Sequence, residues 1–338
     1  IEGATVAING KSYTTDSSGR VEVTGGGSLN VEVSVDGYVG HTVVYGVSTE
    51  DTRNTVMLDK VVTFAVTVND QYGGALADVA VDFDGERKVT VADGTARFAT
   101  SRGKYKYTVT YNGTEKSGDA VVEQADVSAT VVFDRAIEDY KPKPNGNIQM
   151  LVRRESESRK GVTLEVSSPT AAYTIDWGDG ETTAAAGTGK QSYTHEYADG
   201  MPHNVEVSGC EEVTACNMSK YNDVLLAYWT IGNSKVKGLK FHDFSILTTV
   251  GSDIFKNDVE RTSFDYCFSN CENLASIPSG LFDNCKNVTD FHNCFSICFK
   301  LASIPSGLFD NCQNVTDFHN CFSNCKNLAS IPSGLFDN

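Results

Sequence analysis

Two side chains that could serve as nucleophile and base recur near the end of the chain, Cys294 with His292 and again Cys321 with His319. A thiol beside an imidazole is the pairing from which a thiolate nucleophile is made. Two features count against it here. The pair comes as an identical ladder, which a catalytic group does not need, and residues two apart on a helix face different directions. A second constellation is Asp176, Asp179 and Glu181, whose carboxylates suit oxygen coordination of calcium. Asp and Gly at this spacing also stabilise a tight turn, and that is the preferred reading. The third set is Asp290, His292 and Asn293 with Asp317, His319 and Asn320. Donors and acceptors recurring at one period draw stripes down a regular surface, so these are the candidate ligand-binding residues. No catalytic, metal or cofactor set is expected within residues 1–338.

The elements that must position these residues belong to a 27-residue unit. It reads LASIPSGLFDNCKNVTDFHNCFSICFK at 274–300 and LASIPSGLFDNCQNVTDFHNCFSNCKN at 301–327, two copies that differ at four positions. An incomplete copy begins at Leu328. A degenerate one at 247–273 keeps Leu247, Phe255, Asn257, Phe264, Cys267, Phe268 and Cys271 in register. A fixed period of this length marks stacked units that bury their apolar faces on their neighbours. Leu274 and Ile277 read as a short strand that Pro278 ends. Ser279 is placed to cap a turn of helix carrying Leu281, Phe282 and Cys285. Phe291, Cys294, Phe295 and Cys298, at i, i+3, i+4 and i+7, predict a second short helix. The pattern predicts an α/β solenoid over 247–338. Residues 210–246, with Tyr228-Trp229, Leu239 and Phe241, would be its cap. A unit cut at Asn338 would leave Leu328, Ile331, Leu335 and Phe336 on an open end, which predicts more repeats or a partner there.

All ten cysteines follow residue 209, eight of them in the repeats. Cys294 and Cys298, four apart on a helix, would hold their Cβ atoms about 5–6 Å apart. A bridge needs roughly 3.5–4.5 Å, so the repeat cysteines are read as small buried hydrophobes in columns. Cys210 and Cys216 lie outside the register, and a bridge between them is left open.

Leu-Ala-Ser-Ile-Pro, Gly-Leu-Phe-Asp-Asn-Cys and Asn-Val-Thr-Asp-Phe-x-x-Cys-Phe-x-x-Cys resemble the bacterial surface leucine-rich repeats of the BspA type. The resemblance covers about residues 240–338 and implies an extracellular adhesion or recognition surface. Upstream, Gly3-Ala4-Thr5-Val6, Thr15-Asp16-x-x-Gly19 and Asp36-Gly37-Tyr38 resemble carboxypeptidase regulatory-like and bacterial Ig-like modules, which implies a spacer or stalk and no peptidase activity. Tyr173-Thr-Ile-Asp-Trp177-Gly178-Asp179-Gly180, followed by His195-x-Tyr197 and Val205-x-Val207, resembles a PKD domain, a β-sandwich. In that turn the glycines allow a tight reversal, Trp177 packs between sheets and Asp179 bonds back to amides.

Residues 1–59 alternate as short strands at Ala4–Ile8, Val21–Val23, Leu29–Val35 and Thr42–Val44. Residues 60–134 repeat the plan at Val62–Val68, Val79–Phe83, Thr95–Ala99, Tyr105–Val109 and Val127–Phe133. Leu76–Gly85 lies over Ile1–Gly10, and Val61–Asn69 has no counterpart, so the first strand of residues 1–59 is expected upstream of Ile1. Prolines 142 and 144 predict an extended linker at 135–147. The net charge of −16 argues against nucleic acid and anionic membrane as partners. No apolar run is long enough to span a bilayer.

The predicted architecture is multi-domain: all-β Ig-like sandwiches at 1–59 and 60–134, a PKD-like β-sandwich at 148–209, a cap at 210–246, and an α/β leucine-rich-repeat solenoid at 247–338. The expected function is a non-enzymatic surface adhesin, extracellular or on a cell surface, binding a protein or a glycan through the repeats. Two alternatives share these modules. One is a fibre or decoration protein on a phage particle or injection machine. The other is a set of accessory modules of a larger secreted hydrolase.

Overall fold

The computed structural model describes residues 1–47, 52–154, 156, 160–218 and 224–337. Two compact units, Ile1–Asp134 and Arg135–Asn338, make up the chain. In the first unit β1 (Thr5–Ile8), β2 (Lys11–Thr14), β3 (Gly27–Ser34) and β4 (His41–Val47) form one sheet in the order β2-β1-β3-β4. Then come β5 (Val62–Asp70), β6 (Ala80–Phe83), β7 (Glu86–Val89), β8 (Thr95–Thr100), β9 (Gly103–Tyr111), β10 (Thr114–Val122) and β11 (Val127–Phe133). They form two sheets, β10-β9-β6-β7 and β11-β5-β8. Strict alternation along β5 turns Phe64, Val66 and Val68 inward, where they meet Val81, Phe83, Phe98 and Val109 in one core. Among the described residues the expected strand Val21–Val23 is not paired, and the described strands of residues 1–59 form one sheet.

The second unit begins with one 3-10 turn, Ile137–Tyr140. Its strands are β12 (Ile148–Val152), β13 (Gly161–Ser168), β14 (Thr174–Asp176), β15 (Thr182–Ala184), β16 (Gly189–Glu196), β17 (His203–Ser208), β18 (Ala215–Met218), β19 (Leu225–Thr230) and β20 (Thr249–Val250). The sheets run β15-β14-β17-β12-β19-β20 and β16-β13-β18. The region expected to cap the repeats therefore also completes both sheets, through β18 on β13 and β19 on β12. One hydrophobic core runs without a break from Ile148 to Leu335.

The predicted fold class is overturned for residues 247–338. The chain is nearly all β in several separate sheets, and an α/β leucine-rich-repeat solenoid is not formed. Among the described residues the repeats contain no helix, and β20 is their only strand. The backbone explains why. Asn293 (φ 52) and Ile297 (φ 62) are left-handed, as are Asn320 (φ 54) and Asn324 (φ 61) in the next copy. A left-handed residue at every fourth position stops a helix before its second turn. The N–H groups of Cys294 and Ser296 close turns on the Phe291 and Asn293 carbonyls, both at 3.1 Å. The alternate N–H groups, of Phe291, Asn293, Phe295 and Ile297, donate to Asp317, His319, Cys321 and Ser323 of the next copy at 2.8–2.9 Å. Two of these backbone bonds thus close turns and four tie one copy to the next.

The inward spacing survives this change of conformation. Phe291, Cys294, Phe295 and Cys298 are all fully buried. Rings stack copy on copy: Phe268 lies 5.0 Å from Phe295, and Phe295 5.4 Å from Phe322, with nearly parallel ring planes in both cases. Each thiol of one column donates to a carbonyl of the preceding copy, Cys271 to Phe241 (3.0 Å), Cys298 to Phe268 (3.3 Å) and Cys325 to Phe295 (3.1 Å). β19 starts a neighbouring column, in which Thr248 N–H bonds to Leu226, Ala275 N–H to Thr248 and Ala302 N–H to Ala275.

One copy breaks the local rule. Asp243, Asn270 and Asn324 occupy the left-handed position that Ile297 holds in its copy. Asn tolerates this region, whereas a β-branched side chain is strained there. Ile297→Asn is expected to raise stability by about 0.5–1 kcal/mol, read as a higher urea midpoint with an unchanged slope. An unchanged or lower midpoint would show that the half-buried Ile297 side chain contributes more than the strain removes.

Candidate functional site

The recurring polar residues divide into two roles. Asp290 Oδ1 accepts the His292 N–H (2.8 Å), and Asp317 Oδ1 accepts the His319 N–H (2.7 Å). Ser263 plays the same part for Asp265 (3.0 Å), and its hydroxyl donates to Asp290 Oδ2 at 2.8 Å. Ser263, Asp290 and Asp317 are also joined by parallel bridges. Both oxygens of Asp290 are therefore engaged in holding the turns, and its side chain builds the surface rather than presenting to a ligand.

His292 and His319 point outward in register, with ring centroids 5.4 Å apart. Tyr266 lies 5.4 Å from His292 on the other side, and His242 lies 5.9 Å beyond Tyr266. These four rings make a half-exposed ridge along the repeats. Carboxylates flank it: Asp265 Oδ1 is 3.7 Å from His292 Nδ1, and Asp243 Oδ2 is 3.2 Å from His242 Nε2. The Asn293 amide lies 2.7 Å from His292 Nε2, so it donates to the imidazole when that nitrogen is unprotonated. Asn320 is exposed beside His319. Such a ridge can stack on flat or apolar ligand faces and offer donors and acceptors between them.

Of the predicted residues, the structure brings His292, Asn293, His319 and Asn320 to this ridge and gives Asp290 and Asp317 to the turns beneath it. Sequence reasoning missed His242, Asp243, Asp265 and Tyr266. The signal was present in the degenerate copy, which carries Asp265 where the others have His, and Tyr266 where they have left-handed Asn.

The Cys294–His292 pair does not meet as nucleophile and base. Cys294 is fully buried among the Phe columns while His292 is on the surface, and burial pushes the Cys294 thiol well above its ordinary value. Burial likewise raises Cys267 to about 11 and Cys285 and Cys312 to about 12. A thiol so raised is a poor nucleophile near neutral pH. Cys210 and Cys216 are both buried free thiols.

The acidic turn of the second unit is internally satisfied. Asp176 Oδ1 accepts the Gly178 N–H (2.9 Å), and Asp179 Oδ1 accepts the Glu181 N–H (3.1 Å). Asp179 Oδ2 meets His195 Nε2 at 2.6 Å, and the imidazole stacks on Trp177 with centroids 4.9 Å apart. Tyr197 closes the set by donating its hydroxyl to the Trp177 carbonyl (2.8 Å). Burial alone would raise the Asp179 carboxyl, but the His195 and Glu181 hydrogen bonds outweigh it and hold the group below the usual range. Among the described residues no group of three or more His, Cys, Asp or Glu is placed to hold a metal ion.

No protein-family model matches the chain, and no curated protein matches it. Among solved structures it is similar to the Bacillus anthracis TIE protein, at 14% identity and a TM-score of 0.22 over 60% of this chain and 45% of that one. It is also similar to Bacteroides ovatus mixed-linkage glucan utilization locus SGBP-B in complex with mixed-linkage heptasaccharide, at 9% identity and a TM-score of 0.12 over 60% and 67%. The chain spans less than half the length of the first. At these scores neither likeness carries an argument about fold or function.

Proposed function

We propose that this chain is a non-enzymatic recognition protein of a cell exterior, whose repeats present a binding surface. The observation that carries the reading is the ridge of His242, Tyr266, His292 and His319, one ring-bearing side chain per turn of a rigid pile. Rigid display lowers the ordering entropy lost on binding, and repetition lets an extended ligand make the same contact several times. The ligand class is a protein or a glycan with an extended face. No described helix is long and apolar enough to cross a membrane, a statement that does not bear on β-barrels.

The test is binding of the full chain to glycan and host-protein arrays, repeated with His292→Ala/His319→Ala. His292 is 35% exposed and His319 is exposed, so the variant is expected to fold as the parent does while losing at least about tenfold in affinity, or ~1.4 kcal/mol. A hit that the double variant leaves unchanged would place recognition elsewhere on the chain.

A further inference from the structure

The ridge of His242, Tyr266, His292 and His319 is a row of notches rather than a flat platform. Its rings are inclined to their neighbours by 84° from His242 to Tyr266, 61° from Tyr266 to His292 and 53° from His292 to His319. Each ring can stack singly, but no two share a plane on which a run of pyranose rings could lie. Inclined rings leave a gap with a ring face on its wall, and such a face attracts cations.

Two of the three gaps carry a carboxylate. Asp243 Oδ2 lies 3.2 Å from His242 Nε2 beside the first, and Asp265 Oδ1 lies 3.7 Å from His292 Nδ1 beside the second. Both side chains are open to solvent, at 46% and 42% exposure. Among the described ion pairs neither has a lysine or arginine partner. Asp265 is the less satisfied of the two. Its Oδ1 is shielded from water and accepts no hydrogen bond, whereas Asp243 Oδ1 accepts from the Asn270 amide at 2.6 Å. A carboxylate oxygen in that state favours a positive charge nearby. At the third gap, between His292 and His319, the neighbouring Asp290 has both oxygens engaged in the turns.

Charge and spacing select the occupant. A formal net charge of −16 repels acidic chains and draws basic ones. Ring centroids succeed one another at 5.9, 5.4 and 5.4 Å along the ridge. In an extended polypeptide, alternate side chains recur at about 6.6–6.8 Å and adjacent ones at about 3.3–3.4 Å. Alternate side chains therefore match successive notches, and adjacent ones are too close.

Given that the ridge is the recognition surface, on which this inference rests, we propose that it binds an extended segment of a partner protein bearing Lys or Arg at alternate positions. One cation enters the His242–Tyr266 notch and the next enters the Tyr266–His292 notch. Each faces a ring and pairs with Asp243 or Asp265. The residues between them face away from the ridge.

The experiment measures binding of the full chain to four probes by calorimetry. They are a peptide alternating Lys and Ser, one of equal composition with its lysines in a single block, one alternating Glu and Ser, and a neutral β-glucan oligosaccharide. The first is expected to bind saturably and more tightly than the block peptide, and the last two not at all. Asp243→Asn/Asp265→Asn is expected to weaken it at least about fivefold. Asn270 and Asn324 already stand in the Asp243 column, and His292 and His319 in that of Asp265, so this variant keeps the fold. Glu260→Gln/Glu272→Gln makes the same change of charge at exposed positions outside the ridge, and is expected to change affinity less than about twofold. Equal losses in the two double variants, or equal affinity for the alternating and block peptides, would overturn the inference. Glucan binding that His292→Ala/His319→Ala abolishes, with no peptide bound, would overturn it while sustaining the ridge as the recognition surface. Probes that respond to neither ridge variant would remove both.

Discussion

Arg261→Ala is expected to destabilise the first repeat by about 3–5 kcal/mol. Arg261 Nη1 lies 3.1 Å from Asp258 Oδ2, and the two side chains are only 16% and 3% exposed. The guanidinium sits 3.9 Å over the Phe264 ring and also donates to the Leu239 and Ser263 carbonyls. Asp258 accepts the Gly238 N–H at 2.7 Å. Removing the arginine would leave a buried carboxylate with that single partner and strip two carbonyls of a donor. In the following copies the same two positions hold Cys285 and Val288, then Cys312 and Val315, so the fold itself supplies an apolar replacement. Asp258→Cys/Arg261→Val is expected to lose much less than Arg261→Ala. A residual loss should remain, because the Gly238 N–H loses its carboxylate acceptor and the Leu239 and Ser263 carbonyls lose the guanidinium donor. Guanidinium unfolding of the four members of this double-mutant cycle measures it. Equal losses in the single and double variants would show that Asp258 is not held by charge.

Phe291→Ala is expected to cost about 3–5 kcal/mol as well, by a different route. The ring is fully buried and stacked between Phe264 at 5.4 Å and Phe318 at 5.7 Å. It also meets the edge of Phe282 at 4.9 Å. Truncation would empty a site whose walls are fixed by both neighbouring copies, so little collapse can refill it. Phe336→Ala is the contrast, since that ring is 45% exposed, and its loss is expected to stay below about 1.5 kcal/mol. Exchange of the Phe295 amide, which bonds to Cys321 of the next copy, reports both. Similar effects at the two positions would mean that the column does not pack as a unit.

The period was legible in the residues, and the conformation was not. Leu, Phe and Cys at fixed offsets told which side chains share a column, and the structure places Phe268, Phe295 and Phe322 so. The same i, i+3, i+4, i+7 spacing that marks a helical stripe is also produced by successive four-residue turns. The discriminating sign was Asn270, Asn293, Asn320 and Asn324, placed where the backbone turns left-handed. Ile297 hid that sign in the middle copy. The candidate face was legible through His292 and His319 because they repeat. His242 and Tyr266 were not, because they reach the same ridge from a degenerate copy and an upstream segment, and their alignment depends on how the chain enters the pile. Val21–Val23 failed as a strand for a topological reason: its pattern is right, but a strand is made by its neighbour.

The alternating backbone bonds of the repeats have a consequence for inheritance. Along this ladder each copy offers the next the same amides and receives the same carbonyls, and copies 274–300 and 301–327 differ at only four positions. Unequal recombination between such copies adds or deletes a full unit while leaving every joint intact, so the reach of the ridge can be lengthened or shortened in a single genetic step. Slipping by one residue would instead set amide against amide and push phenylalanines into water. The molecule is thus tolerant of change in multiples of 27 and intolerant of anything smaller.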